Sequence, residues 1–149
     1  MRRATASDAA SIKALIDQHV PSGTLLPRSE EFISLYAHEF IVAAVGNQVV
    51  GCVHLDEYAP SLAELRSLAV ENGSQGSGIG RALVSATEKL ARARGYTTLF
   101  AVSNDEKFFL KFGFDDRHIP ELNRERSEVS RYKGVYAKDL SVGSGSVST

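Results

Sequence analysis

Apolar positions change their spacing several times along this chain, and each change predicts an element. Ile12, Leu15, Ile16 and His19 recur at helical intervals, so 4–18 reads as a helix after a short first strand. Thr5 and Asp8 stand three apart at its start, the spacing of a capping box. Pro21, Gly23 and Pro27 break the pattern. Ser29 then caps a second helix, with Glu30 and Glu31 favouring its dipole and Phe32, Ile33, Leu35 and Tyr36 as its buried side. Residues 40–45 and 49–55 are β-rich around a Gly46-Asn47 turn, which predicts a hairpin. Another strand runs over 62–70 after Pro60. Gly73, Gly76, Gly78 and Gly80 come next, then a long helix to about Arg94 with Leu83, Thr87, Leu90 and Ala91 facing inward and Gly95 as C-cap. A fifth strand over 97–102, a short helix over 105–112 stopped by Gly113 and at least one strand within 129–140 complete the pattern. Strands in sequence followed by a strand–helix–strand crossover make the fold class mixed α/β, of the α+β kind. We expect one domain over 1–140 and a disordered tail over 141–149, SVGSGSVST.

Composition narrows the function classes. Of 149 residues, 43% are hydrophobic and 23% charged, ordinary values for one globular domain. Seventeen basic residues against eighteen acidic ones give a net charge of −1, which argues against nucleic acid as a partner. The longest apolar run, 40–45, is too short to span a bilayer, so no membrane partner is expected. Arg2 and Arg3 are followed by Thr5, Ser7 and Asp8 rather than an apolar stretch, unlike a secretory signal. The lone Cys52 fits a reducing compartment, and the chain reads as cytoplasmic.

The chemistry concentrates in LRSLAVENGSQGSGIGRA, 65–82. A strand ends at Val70, a glycine-rich loop follows, and a helix starts near Gly78. Glycines let the backbone approach a ligand closely, and the first turn of a helix offers four unpaired N–H donors and partial positive charge. Together they suit a phosphate or pyrophosphate. Arg81 and Ala82 after Gly80 do not complete a P-loop, and the Gly76, Gly78, Gly80 spacing is not the Rossmann one. A glycine-rich turn that only caps a helix is the plain alternative.

Val70 followed by Gln75-x-x-Gly78-x-Gly80 resembles the acetyl-CoA pyrophosphate loop of the GNAT acyltransferases, and FFLKFGF at 108–114 resembles that superfamily's second marker. The resemblance implies the GNAT fold, a splayed, mostly antiparallel mixed sheet flanked by helices, with pantetheine between strands four and five. It implies acetyl-CoA as cosubstrate and no metal. Leu68 and Val70 would hold the pantetheine arm by their backbone; Gln75, Gly76, Ser77, Gly78, Ile79, Gly80 and Arg81 would hold the pyrophosphate; Asn104 and Phe109 would flank the arm.

LLPRS at 25–29, GCVHL at 51–55 and AELRSLAV at 63–70 are similar to the amino-acid N-acetyltransferases that make N-acetylglutamate for arginine biosynthesis. Longer members carry an amino-acid-kinase domain, and this chain resembles the stand-alone short form. The last strand matches loosely, with Lys133 where a small hydroxyl residue is common. The resemblance puts the general base at Glu64, which strand alternation places on one face with Arg66 and Leu68. A surface Glu paired with Arg66 is the plain alternative. The tyrosine acid of many GNAT enzymes falls at Phe109, which cannot donate a proton but is usual in the glutamate-acetylating branch. A dicarboxylic acceptor calls for cations: Arg28 lies in the segment that resembles the family's acceptor-binding loop, Arg131 resembles a family carboxylate-binding arginine, Arg66 shares the face of Glu64, and Ser103, at the end of the fifth strand, is placed to donate to the amino acid. An exposed salt bridge is the plain alternative for each arginine.

The four histidines lack zinc-ligand spacing, and His54 reads as a packed or paired strand residue bordering, at most, the acceptor pocket. Cys52 reads as a small buried hydrophobe. The expected function is acetyl transfer from acetyl-CoA to the α-amine of an amino acid, glutamate first, by direct attack. Acetylation of another small amine or a protein N-terminus, or acyl-CoA binding without catalysis, are the alternatives. A small-molecule amine is the expected partner, and a homodimer is possible.

Overall fold

A computed structural model describes residues 1–122 and 134–140. Arg131 and the 141–149 tail lie outside them. Among the described residues the elements are β1 (Arg2–Arg3), α1 (Ala9–His19), α2 (Glu30–Leu35), β2 (Phe40–Val45), β3 (Gln48–Ala59), β4 (Leu62–Val70), α3 (Ile79–Ala93), β5 (Thr98–Ser103), α4 (Glu106–Lys111), β6 (Asp115–Asp116) and β7 (Gly134–Asp139). The strands are ordered β1-β2-β3-β4-β5-β7-β6. β1–β2, β2–β3, β5–β7 and β6–β7 pair antiparallel, and β4–β5 pair parallel. This is the expected mixed α/β class.

The contacts divide into two compact units, Met1–Asp56 with Leu65–Leu90, and Glu57–Glu64 with the chain from Ala91 onward. The first has its core in Ile12, Leu15, Ile16, Ile33, Phe40, Val42, Cys52 and Ala69. α1 supplies Ile12, Leu15 and Ile16 from the stripe read in the sequence, but a 3-10 turn, Ala6–Asp8, precedes it. The capping spacing is used: Asp8 Oδ2 accepts the Thr5 N–H at 2.8 Å. Ser29 Oγ accepts the Phe32 N–H at 3.0 Å and starts α2. The buried side expected for α2 is only partly so. Ile33 is buried, but Leu35 is 70% and Tyr36 37% exposed. Two residues turn a helix by about 200°, so Leu35 faces away from Ile33.

Gly46, at φ +61, turns β2 into β3. Pairing starts at Val45↔Gln48, slips by one residue between Ala43 and Ala44, and ends at Phe40↔His54. α3 buries Leu83, Val84, Thr87 and Ala91. Beneath its first turn lies Gly51, where a Cβ would stand 2.8 Å from Ile79 Cγ2 and 2.9 Å from Leu83 Cδ1. Gly95, at φ +87, closes α3, with its N–H on the Arg92 carbonyl and the Tyr96 N–H on that of Ala91.

The second unit packs Leu62, Phe100, Ile119 and Ala137, with Tyr58 edge-on to Phe100 at 5.5 Å. The parallel ladder covers three pairs, from Leu62↔Thr98 to Glu64↔Phe100. β5 pairs with β7 over six.

Candidate active site

The loop from β4 to α3 has a fixed base and an exposed crest. The Glu71 N–H donates to the Val50 carbonyl at 2.9 Å, and the Asn72 N–H to Gln18 Oε1 at 3.1 Å. His19 Nε2 lies 3.0 Å from the Val70 carbonyl. The Ser77 hydroxyl donates to the Ser74 carbonyl. Gln75, Gly76, Ser77, Gly78 and Arg81 are exposed; Ile79 and Gly80 are half-buried. Gly73, Gly76 and Gly78 hold φ of +94, +86 and +88, with open space where a Cβ would stand. The backbone angle is thus what demands glycine there, because a side chain in that region clashes with its own peptide. α3 begins at Ile79, and a helix cannot satisfy its own first four N–H groups. Exposed residues at the positive end of a fifteen-residue helix make a candidate anion cradle.

β4 carries Glu64, 3% exposed, and half-buried Arg66, Leu68 and Val70. Ser67 between them has φ +54, a left-handed angle inside a strand that nothing in the sequence signals. Cys52 Sγ lies 3.5 Å from its carbonyl. Burial pushes the Cys52 thiol up to about 12, so it stays protonated and is no acyl carrier. Arg66 Nη1 donates to Asp56 Oδ2 at 3.0 Å, an ion pair with Asp56.

The first unit also gathers polar side chains that sequence spacing left apart. His54 Nε2 lies 2.9 Å from Glu39 Oε1. Its ring, fully buried, stacks on Phe40 at 4.4 Å and meets Phe32 edge-on at 5.9 Å. Ligand atoms of Glu39, His54 and Asp56 lie within 4.8 Å of one another. Arg28 sits 4.6 Å over Phe32 with Nη1 and Nη2 buried. Burial lowers the His54 pKa from its usual value; Glu39 and Asp56 oppose that, and Arg28 adds to it. Glu39 and Asp56 were not singled out from sequence. The only signal was the hairpin, and its one-residue slip is what sets Phe40, and hence Glu39, against His54.

In the second unit, Ser103 Oγ accepts the Asp105 N–H at 3.0 Å and Asn104 is exposed. Phe109 is 4% exposed, stacked on Tyr136 at 6.1 Å and edge-on to Phe108 and Phe114. Arg131 lies outside the described residues.

The cradle and the strand before it have a family. Residues 36–116 match the acetyltransferase (GNAT) domain. The chain belongs to the GNAT acetyltransferase family. As a member it is an acetyl-CoA-dependent N-acetyltransferase. It is 34% identical to an uncharacterized N-acetyltransferase of Chlorobaculum tepidum, over 78% of this chain and 75% of that one. It is 30% identical to the amino-acid acetyltransferase of Ralstonia nicotianae, over 89% of this chain and 30% of that protein. N-acetylglutamate synthase from Neisseria gonorrhoeae, solved with coenzyme A and N-acetyl-glutamate, superposes with a TM-score of 0.84 at 29% identity, over 93% of this chain and 34% of that one. The chain thus spans about a third of these last two proteins. Among the described residues no helix is long and apolar enough to cross a membrane.

Proposed function

We propose that this GNAT enzyme acetylates the α-amine of an amino acid, L-glutamate first, by direct attack on the thioester of acetyl-CoA. The observation that carries the reading is the run of left-handed glycines opening onto the N-terminus of α3 directly after β4. The exposed amides of 75–81 take the diphosphate, with Arg81 beside them. Backbone groups of Leu68 and Val70 hold the pantetheine arm, and a β4 N–H near Leu68 polarises the thioester carbonyl. Asn104 and Phe109 are assigned to the arm as well.

Glu64 is assigned as the base. Its carboxylate takes a proton from the acceptor's ammonium, the free amine attacks the carbonyl carbon, and the C–S bond breaks with the electron pair leaving on sulfur, while the second proton that the nitrogen sheds on becoming an amide passes to solvent. With Phe109 unable to donate, the thiolate departs unassisted, which a thiol pKa of about 8.5 allows. Arg28 and Arg131 are assigned to the acceptor's carboxylates and Ser103 to its polar backbone. Arg66 is the weaker candidate, since Asp56 holds it. The amino-acid acetyltransferase named among the relatives and the product bound in the gonococcal synthase support this acceptor class. A cytoplasmic place in amino-acid biosynthesis goes with the reading.

Thiol release from acetyl-CoA, followed with each proteinogenic amino acid, a polyamine and a short peptide, tests it. Turnover with glutamate above the others is the expected result. Turnover only with polyamine or peptide moves the enzyme to another acceptor class, and coenzyme A binding without turnover leaves an acyl-CoA-binding module.

A further inference from the structure

The crest of the loop between β4 and α3 has little to hold it in place. Gly73, Gly76 and Gly78 sit at left-handed angles with open space where a Cβ would stand, so no side chain packs it down there. Glycine also loses more backbone freedom on ordering than any other residue. Such a loop binds an anion well only if it is ordered beforehand, because ordering on binding subtracts from affinity. That order has to come from the base of the loop.

Three successive residues leave β4 with three separate holds, all within the first unit. The Glu71 N–H goes to the Val50 carbonyl of β3 at 2.9 Å. Val70 and Asn72, on either side of it, are held by α1. His19 Nε2 stands 3.0 Å from the Val70 carbonyl, and Gln18 Oε1 accepts the Asn72 N–H at 3.1 Å. A carbonyl oxygen only accepts, so His19 Nε2 carries a proton in this bond whatever the charge of the ring. The next turn closes on this frame: the Ser74 N–H donates to the Glu71 carbonyl at 2.9 Å, and the Ser77 hydroxyl to the Ser74 carbonyl.

The helix that supplies two of these holds is itself fixed. Ile12, Leu15 and Ile16 bury it in the core of the first unit. Its end is closed as well, since the His19 carbonyl accepts the Leu25 N–H at 3.2 Å and the Ser22 hydroxyl at 3.1 Å. His19 and Gln18 stand 51 and 54 residues from the groups they hold, so neither bond belongs to local helix or turn formation.

We propose that Gln18 and His19 are positioning residues for coenzyme A: the last turn of α1 splints the base of the 71–78 loop, so that the amides of 75–81 are in place before the diphosphate arrives. This rests on the reading that those amides take the diphosphate. Neither side chain is assigned a contact with the cofactor; each acts through the backbone of Val70 or Asn72. Without the splint the loop still reaches its bound shape, but coenzyme A has to order it, and affinity falls accordingly. Turnover at saturation is kept, because the bound loop is the same.

Length-matched variants test it. His19→Met removes the donor and Gln18→Met the acceptor, while His19→Gln returns an amide N–H near the place of Nε2. Coenzyme A binding is read by calorimetry, acetyl-CoA KM and kcat with the amino acid of highest turnover, and loop order by amide hydrogen exchange. His19→Met should weaken coenzyme A about fivefold, the scale of one hydrogen bond, and raise the acetyl-CoA KM in step, with kcat nearly unchanged. His19→Gln should recover most of that affinity. In the free His19→Met enzyme the Glu71, Asn72 and Ser74 amides should exchange faster than in wild type, and bound coenzyme A should restore them. Gln18 is exposed, so Gln18→Met carries the test if His19→Met does not fold. Weaker coenzyme A binding in Gly78→Ala, with wild-type binding and exchange in both methionine variants, overturns the inference alone. So does a loss that His19→Gln shares in full, or faster exchange spread through the core, since either makes the two side chains ordinary stabilisers of the fold. Coenzyme A binding that none of the variants changes, Gly78→Ala included, overturns the reading of the loop and this inference with it.

Discussion

A carboxylate with 3% of its surface exposed has little reason to sit in a strand unless something there needs it. Glu64→Gln preserves shape and removes basicity. If Glu64 takes the amine's proton, kcat should fall about 10²–10⁴-fold with acetyl-CoA affinity intact, as steady-state rates and calorimetry will show. Parallel loss of both would leave Glu64 a packing residue. Asp8 offers a second residue-scale prediction. Arg2 donates to both its oxygens at 2.8 and 3.0 Å, the Thr5 N–H adds a third bond, and the carboxyl is held at about 2. The folded value lies below the unfolded one of about 3.9, so this stabilisation is complete above pH ~4 and disappears as pH falls through ~2. Asp8→Asn should lower stability by about 1 kcal/mol at neutral pH and flatten its fall across that acid window, read from urea midpoints. The Thr5–Asp8 spacing was legible, since a capping box is local. The Arg2 bridge and the Glu39–His54 pair were not, because each joins residues whose separation carries no periodic signal.

Elements were legible where the signal is short-range. Gly46-Asn47 gave the hairpin, Ser29 the start of α2 and Gly95 the end of α3, each a local rule of turn or cap chemistry. The hairpin's register was less so. A two-residue turn alone would set Phe40 across from residue 53, and the slip at Ala43/Ala44 moves it to His54. The left-handed Ser67 was equally hidden, since serine has no special claim on that angle. Two glycines with different duties give the element-scale prediction. Gly51 is needed for space under the first turn of α3, Gly78 for its angle. Gly51→Ala should push that turn outward, destabilise by about 1–3 kcal/mol and weaken coenzyme A through the displaced amides. Gly78→Ala meets no neighbour, so its penalty is backbone alone, about 1–2 kcal/mol, and falls on the cradle itself. Urea titration with calorimetry on both variants checks this. Unchanged coenzyme A binding in Gly78→Ala would detach the loop from the ligand.

For the whole molecule, the α/β class followed from strands in series before a single crossover, but the placing of β7 between β5 and β6 did not. That order depends on pairings such as Asp116↔Tyr136, which bring together segments far apart in sequence. Ligand linkage tests the reading at this scale without any variant. A ligand that binds only the folded chain stabilises it by RT ln(1 + [L]/Kd), about 2.7 kcal/mol at a hundredfold excess over Kd. In a chain of this length that should raise the melting temperature by roughly 5–10 °C. Coenzyme A should produce the rise, and so should acetyl-CoA, because the diphosphate on the 75–81 amides is common to both. Inorganic phosphate at the same concentration should do far less, since it lacks the pantetheine contacts assigned to β4. Scanning calorimetry that finds equal, small shifts for all three would mean that the loop is merely a turn between β4 and α3.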